Sequence, residues 1–190
     1  TDGRTPTTGT QRYDGPFPLE HSCLVKTVSY DEYNDGVTTE RYMLQHKAIG
    51  CPITLATNFS TYRDVYSGGG NNALVDGQLG SDDSYADGHW QGYWGENIDV
   101  TVDLRKVTAV NNVSVRFLQN TFDWILAPTE LQLYTSADGK TWKQVRSEKF
   151  NPEFARNGNV IYTDALHNLS LSTRYLRLVA PNPGPLPAWH

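Results

Sequence analysis

Two short segments hold the residues best able to do chemistry. Residues 91–96 read Gln-Gly-Tyr-Trp-Gly-Glu, and residues 120–125 read Asn-Thr-Phe-Asp-Trp-Ile. Each sets aromatic rings beside amides and carboxylates, and neither carries a nucleophile. Sugars present apolar C–H faces fringed by hydroxyls. A site for them needs a flat aromatic platform flanked by groups that make paired hydrogen bonds. Gln91, Tyr93, Trp94, Asn120, Phe122, Asp123 and Trp124 supply that combination and are the candidate sugar-binding residues. Trp90 and Trp142 read instead as core, with Trp142 plugging a hairpin after the turn at Asp138-Gly-Lys.

A third segment, Ala73-Leu-Val-Asp-Gly-Gln-Leu-Gly-Ser-Asp-Asp83, is rich in oxygen donors. Calcium takes about six to eight hard oxygens, many of them carbonyls and carboxylates. A tight turn after Asp76 aims that carboxylate and nearby carbonyls at one point. The other reading is a plain Asp-Gly turn in a solvated acidic loop.

Catalytic constellations are thin. Histidines at 21, 46, 89, 167 and 190 form no HExxH and no spaced ligand set. Ser67-Gly-Gly-Gly70 lacks the lysine of a phosphate loop, and no Gly-X-Ser-X-Gly elbow occurs. Asp82 and Asp83 are adjacent, so their side chains diverge on an extended chain and make a poor acid–base pair. No catalytic residue is assigned.

The elements that position these loops read as β. Apolar and polar residues alternate with period two over residues 53–55, 100–104, 113–117, 131–133 and 174–179. Turn signals fall between them at Asp76-Gly77, Asp87-Gly88, Asp138-Gly139, Asn157-Gly158 and Pro183-Gly184. Strands with long polar connections predict an all-β fold, an antiparallel sandwich or barrel. A boundary is expected near His46-Lys-Ala-Ile-Gly50. Residues 1–46 then form a small β-unit with turns at Asp2-Gly3, Asp14-Gly15 and Asp35-Gly36 and strands over 21–30 and 38–45. Residues 47–190 form the main domain.

The net charge of −5 and scattered basic residues argue against a nucleic-acid partner. No apolar run approaches the roughly 20 residues of a membrane span. Cys23 and Cys51 make no CxxC; they read as two thiols or, in an oxidising compartment, a disulfide. Asn-X-Ser triplets begin at Asn58, Asn112 and Asn168 and occur at about the chance rate. The opening Thr1-Asp2-Gly3 reads as the inside of a turn, so the chain is expected to be cut from a longer protein.

Residues 47–190 resemble a discoidin domain, also called a coagulation factor V/VIII type C domain, which serves bacterial enzymes as a family 32 carbohydrate-binding module. The resemblance is carried by Ala48-Ile-Gly-Cys-Pro-Ile-Thr-Leu55, Ala73-Leu-Val-Asp-Gly77, Trp90-Gln-Gly-Tyr93, Val113-Ser-Val-Arg-Phe-Leu-Gln119 and Trp124-Ile-Leu-Ala-Pro128. Ser136-Ala-Asp-Gly-Lys-Thr-Trp142 and Arg174-Tyr-Leu-Arg-Leu178 also carry it. Through Asp2-Gly-Arg-Thr-Pro6, Arg12-Tyr-Asp-Gly-Pro16 and Val25-Lys-Thr27, residues 2–45 resemble the small β-domain that follows the catalytic barrel of chitobiase-like β-N-acetylhexosaminidases. The resemblance implies a discoidin-like jelly-roll sandwich and a structural calcium ion. It places that ion's ligands at the Ala73 carbonyl, the Asp76 carboxylate, the Gln78 carbonyl and Ser81, with Asp82 and Asp83 able to assist. The family's closing strand brings one more acidic ligand, and this chain reaches His190 without it.

The expected function is therefore non-catalytic binding of a hexosamine- or galactose-type glycan, by a monomer, beside a parent glycosidase domain in cis. Its expected location is secreted, periplasmic or on the outer cell surface. The competing readings are a structural spacer, a protein- or lipid-binding discoidin domain, and part of an enzyme site completed by a missing domain.

Overall fold

The computed structural model describes residues 3–31, 34–153, 158–185 and 188. Among the described residues nine strands run in chain order: β1 Cys23–Asp31, β2 Asn34–Met43, β3 Ile53–Leu55, β4 Ile98–Val110, β5 Val113–Gln119, β6 Glu130–Ser136, β7 Lys143–Lys149, β8 Val160–Leu166 and β9 Leu171–Ala180. Five form an antiparallel sheet in the order β3-β4-β9-β6-β7, and β5 pairs with β8. Apolar residues of both sheets meet in one core, including Val100, Val102, Leu131, Leu133 and Leu176 from the large sheet and Phe117 and Leu166 from the small one. This is a β-sandwich of the expected class. No helix among the described residues is long and apolar enough to cross a membrane.

Each expected strand is present. β4 shows why alternation worked: Val100, Val102 and Leu104 are buried while Thr101 and Asp103 are only partly covered. β7 and β8 were not anticipated. β7 reads Lys-Gln-Val-Arg-Ser-Glu-Lys, with a single apolar residue, because it is the edge of its sheet. An edge strand gains from charge, which discourages pairing with a second chain.

Among the described residues β1 and β2 form a two-stranded sheet of their own. A two-stranded ribbon is marginal alone, and this one is tied to the sandwich at its end. Leu44 N donates to the Gly77 carbonyl at 2.8 Å, beside a bridge between Met43 and Gln78. The Asp35-Gly36 pair lies inside β2 rather than at its turn. Gly36 sits at a φ of 102°, and a Cβ there would strike the Tyr30 ring, so that glycine marks the register shift after Ser29. The Thr1-Asp2 and Asn157 turn signals and the 189–190 end lie outside the described residues. Both cysteines are free thiols, and Cys51 is buried.

Candidate sugar-binding loops and the oxygen-rich loop beside them

The 120–125 tip is built on Asn120. This residue exchanges backbone hydrogen bonds with Ile125 in both directions at 2.9 Å, which closes a tight loop after β5. The residue is 9% exposed. The Asn120 Oδ1 accepts from Asp123 N at 3.1 Å, while Nδ2 donates to Asp123 Oδ2 and to Asn159 Oδ1, both at 2.9 Å. The locked loop turns outward what it carries. Phe122 is 80% exposed and Trp124 66%. Trp124 also sits at φ 64° and ψ 25°, the left-handed region. That conformation costs a residue bearing a Cβ roughly 1–2 kcal/mol. Such strain persists only where the surroundings over-determine it, and it gathers at functional sites.

The 91–96 loop is stitched to the 60–70 loop. Ser60 N donates to the Gly92 carbonyl at 2.7 Å, and Gly92 N to the Tyr66 carbonyl at 3.0 Å. Gln91 is the main strut. Its Nε2 donates to the Ser67 and Gly70 carbonyls at 3.2 and 2.8 Å, and its Oε1 accepts from the Tyr93 hydroxyl at 3.0 Å. Gly68 has to be a glycine here, since a Cβ would overlap the Gln91 side chain. Burial pushes the Tyr93 phenol up to about 12. Gln91 and Tyr93 thus hold the loop together, and the open surface falls to Trp94, which is 69% exposed. Sequence reasoning missed its neighbour Tyr62, whose ring lies 5.2 Å from Trp94 at 87°. No period or turn marks Thr61-Tyr-Arg63, so only its aromatic–cation pairing could have drawn notice.

A chain of side chains joins the two loops. Asn159 Nδ2 donates to the Asp82 carbonyl at 3.3 Å. Arg116, on β5, forms an ion pair with the Asp82 carboxylate and donates to the Gly80 carbonyl at 3.0 Å. Its guanidinium also stacks 5.3 Å from the centre of the Trp90 ring. Trp90 donates Nε1–H to the Ser81 carbonyl at 3.0 Å. Trp90 and Trp142 are partly buried, each with an arginine over its ring.

Ala73, Asp76, Gln78 and Ser81 share one half-buried loop. Gln78 N donates to Asp76 Oδ1 at 2.7 Å, and Gln78 Nε2 approaches Oδ2 at only 3.4 Å. One carboxylate oxygen is thus fixed and the other weakly used. The Ser81 carbonyl already accepts from Trp90 and its hydroxyl from Asp83 N at 3.1 Å. Among the described residues no three His, Cys, Asp or Glu side chains converge. An ion here would rest on one carboxylate with carbonyls. That oxygen-only set fits a hard cation in kind and falls short of the charge a tight site carries. Burial holds the nearby His46 imidazole below its ordinary value, against the opposing pull of Asp76.

A groove lined by Thr135, Asp138, Lys143 and Arg174 lies at the opposite end of the large sheet from the 120–125 tip. Two of its charged groups, Arg174 and Asp138, are spent internally. Arg174 grips Asp103 through two 2.9 Å bonds, and Asp138 caps its own turn.

No curated protein sequence matches the chain. Solved structures do. One is a chitosan-binding module from a chitosanase/glucanase of Paenibacillus sp. IK-5, at 13% identity and a TM-score of 0.43 over 71% of this chain and 84% of that one. A CBM32 module from Clostridium perfringens, solved with GalNAc-β-1,3-galactose, gives 15% identity and 0.43 over 69% and 84%. The C-terminal domain of a chitobiase from Bacteroides fragilis gives 15% and 0.41 over 68% and 81%. The model of the F5/8 type C domain matches residues 56–189. That span takes in the sandwich from the end of β3 onward with every loop described above, and the chain belongs to the F5/8 type C, or discoidin, domain family.

Proposed function

We propose that this chain is a non-catalytic carbohydrate-binding module that holds a glycosidase, of β-N-acetylhexosaminidase type, near its glycan. The observation that carries the reading is the 120–125 tip. Two aromatic rings stand in solvent on a loop whose backbone is fixed by a buried asparagine and a left-handed tryptophan. Water-exposed rings on a pre-ordered loop suit the apolar face of a sugar, because little entropy remains to be lost on binding. Asp123, beside them, is an acceptor for hydroxyls. Hexosamine- or galactose-type sugars are the proposed ligands.

Binding to one platform with a few hydrogen bonds belongs near the millimolar range, about −4 kcal/mol. Raised local concentration on a polymer then supplies what the single site lacks. The β1–β2 ribbon with residues 1–46 is proposed as the junction to a catalytic domain in cis, and the module as a secreted or surface-facing monomer. Asp76, with the carbonyls of Ala73, Gln78 and Ser81, is proposed to hold a structural calcium-like ion. Bound there, the ion would supply a fixed positive charge that cross-links the loop.

NMR titration with galactose, N-acetylgalactosamine and N-acetylglucosamine tests the reading. Shifts at Phe122, Trp124 or Trp94 are expected. Silence toward every sugar would favour a spacer that only packs on its neighbour.

A further inference from the structure

We propose that Tyr62, Trp94 and Arg63 form a subsite for an acidic sugar, one whose ring bears a carboxylate; this rests on the carbohydrate-binding reading above. The two rings meet at 87° with centroids 5.2 Å apart. Tyr62 is 67% exposed, much like Trp94. A floor and a wall of aromatic surface therefore stand open to solvent, the shape that takes both an apolar sugar face and its edge.

The corner is built rather than accidental. Tyr66 N donates to the Arg63 carbonyl at 3.0 Å, and the Tyr66 carbonyl accepts from Gly92 N. Those bonds fix the strip bearing Tyr62 and Arg63 against the loop bearing Trp94. A Cβ on Gly92 would press on the Tyr66 ring at 3.3 Å, so the two loops touch at backbone distance.

Charge sets the ligand class. The Arg63 guanidinium lies 5.9 Å from the Tyr62 ring centre. Among the described residues it forms no ion pair, unlike Arg116, Arg174 and Arg177. A guanidinium offers a planar fork that matches a carboxylate. Asp64 follows it in the chain and Glu96 stands on the Trp94 loop, so the corner has no general positive field. The whole chain is at −5. Preference for an anion must then come from Arg63 alone, which reduces the test to one residue. The 120–125 tip carries Asp123 and would repel the same carboxylate.

The whole chain is titrated by NMR with D-galacturonate and D-glucuronate, and with neutral D-galactose and D-glucose, at roughly 0.05 M salt. Each uronate is expected to bind roughly fivefold or more tighter than its neutral parent, with shifts at the Trp94 indole N–H. Arg63→Gln should erase the difference and leave the melting temperature unchanged. Arg63→Lys should keep part of it, since charge remains without the fork. Neutral sugars bound with no uronate preference, or a preference that survives Arg63→Gln, overturn this subsite and leave the module reading standing. Silence toward every sugar overturns both. Binding of anionic phospholipid vesicles through Trp94, with no uronate shift, makes the corner a lipid spike and also overturns the proposal.

Discussion

The Trp90 indole lies over Gly80 and donates its N–H to the carbonyl of the next residue, Ser81. A Cβ on Gly80 would fall inside the ring, although this glycine does not have a positive φ. Its requirement is space, not backbone freedom. Gly80→Ala must push Trp90 off the loop and loosen Arg116, which touches both. A loss of about 1–3 kcal/mol is expected in denaturant unfolding, with a change in tryptophan fluorescence. An unchanged midpoint would show that Trp90 can lift without cost.

Trp124 separates stability from binding. Trp124→Gly removes the ring and relieves the left-handed strain together. Stability should rise by roughly 0.5–1 kcal/mol while sugar affinity falls. Trp124→Ala should cost about 1 kcal/mol of binding, near fivefold in Kd, with the fold intact. Paired thermal melts and titrations read both effects. A stability loss for the glycine variant would mean that the ring packs inward.

Asn120 should behave as core despite its polarity. Asn120→Ala strips the Asp123 amide, the Asp123 carboxylate and Asn159 of one partner each. A cost of about 1–3 kcal/mol is expected from the groups left unmatched, with faster hydrogen exchange across residues 120–125. A cost well below 1 kcal/mol would mean water replaces the amide freely.

Asp138 sets an acid limit. Its carboxylate accepts from Thr141 N, Lys140 N and the Ser136 hydroxyl, which hold it at about 2 against an ordinary 3.8. The folded value is the lower one, so its contribution is whole above about pH 4 and is lost as pH falls toward 2. Asp138→Asn should flatten the stability profile in that window. An identical acid limb in wild type and variant would show the turn holds without the charge.

The proposed ion makes its own demand. Calcium in the millimolar range, roughly 10⁻⁴–10⁻³ M for weak modules, should raise the melting temperature, and a chelator should reverse it. Asp76→Asn should abolish the shift. No response to calcium in wild type would remove the ion from the loop.

Much of the fold was legible because its strands bury one face. Val100, Val102 and Leu104 alternate with polar residues, and β4 appears where they do. β7 was illegible because an edge strand with one apolar residue has no alternation to read. The exposure of the candidate rings was legible in residue type, and the packing roles of their neighbours were not. Exposed Phe122 and Trp124 follow from their loop, but no local pattern tells Gln91, a strut, from a sugar-facing amide. Tyr62 meets Trp94 across some thirty residues, a partnership made wholly by the fold.

The strand order of the large sheet fixes a sequence of events. β9 is its middle strand and the last of the nine to be made. Until residues 171–180 leave the ribosome, β4 and β6 have no common neighbour in that sheet. Assembly must wait for pairings that span some seventy residues, such as Val102 with Leu176. Long-range closure of that kind slows folding and prolongs exposure of sticky strands. A chain stopped short of Leu171 should accumulate as a chaperone client rather than as a smaller sandwich.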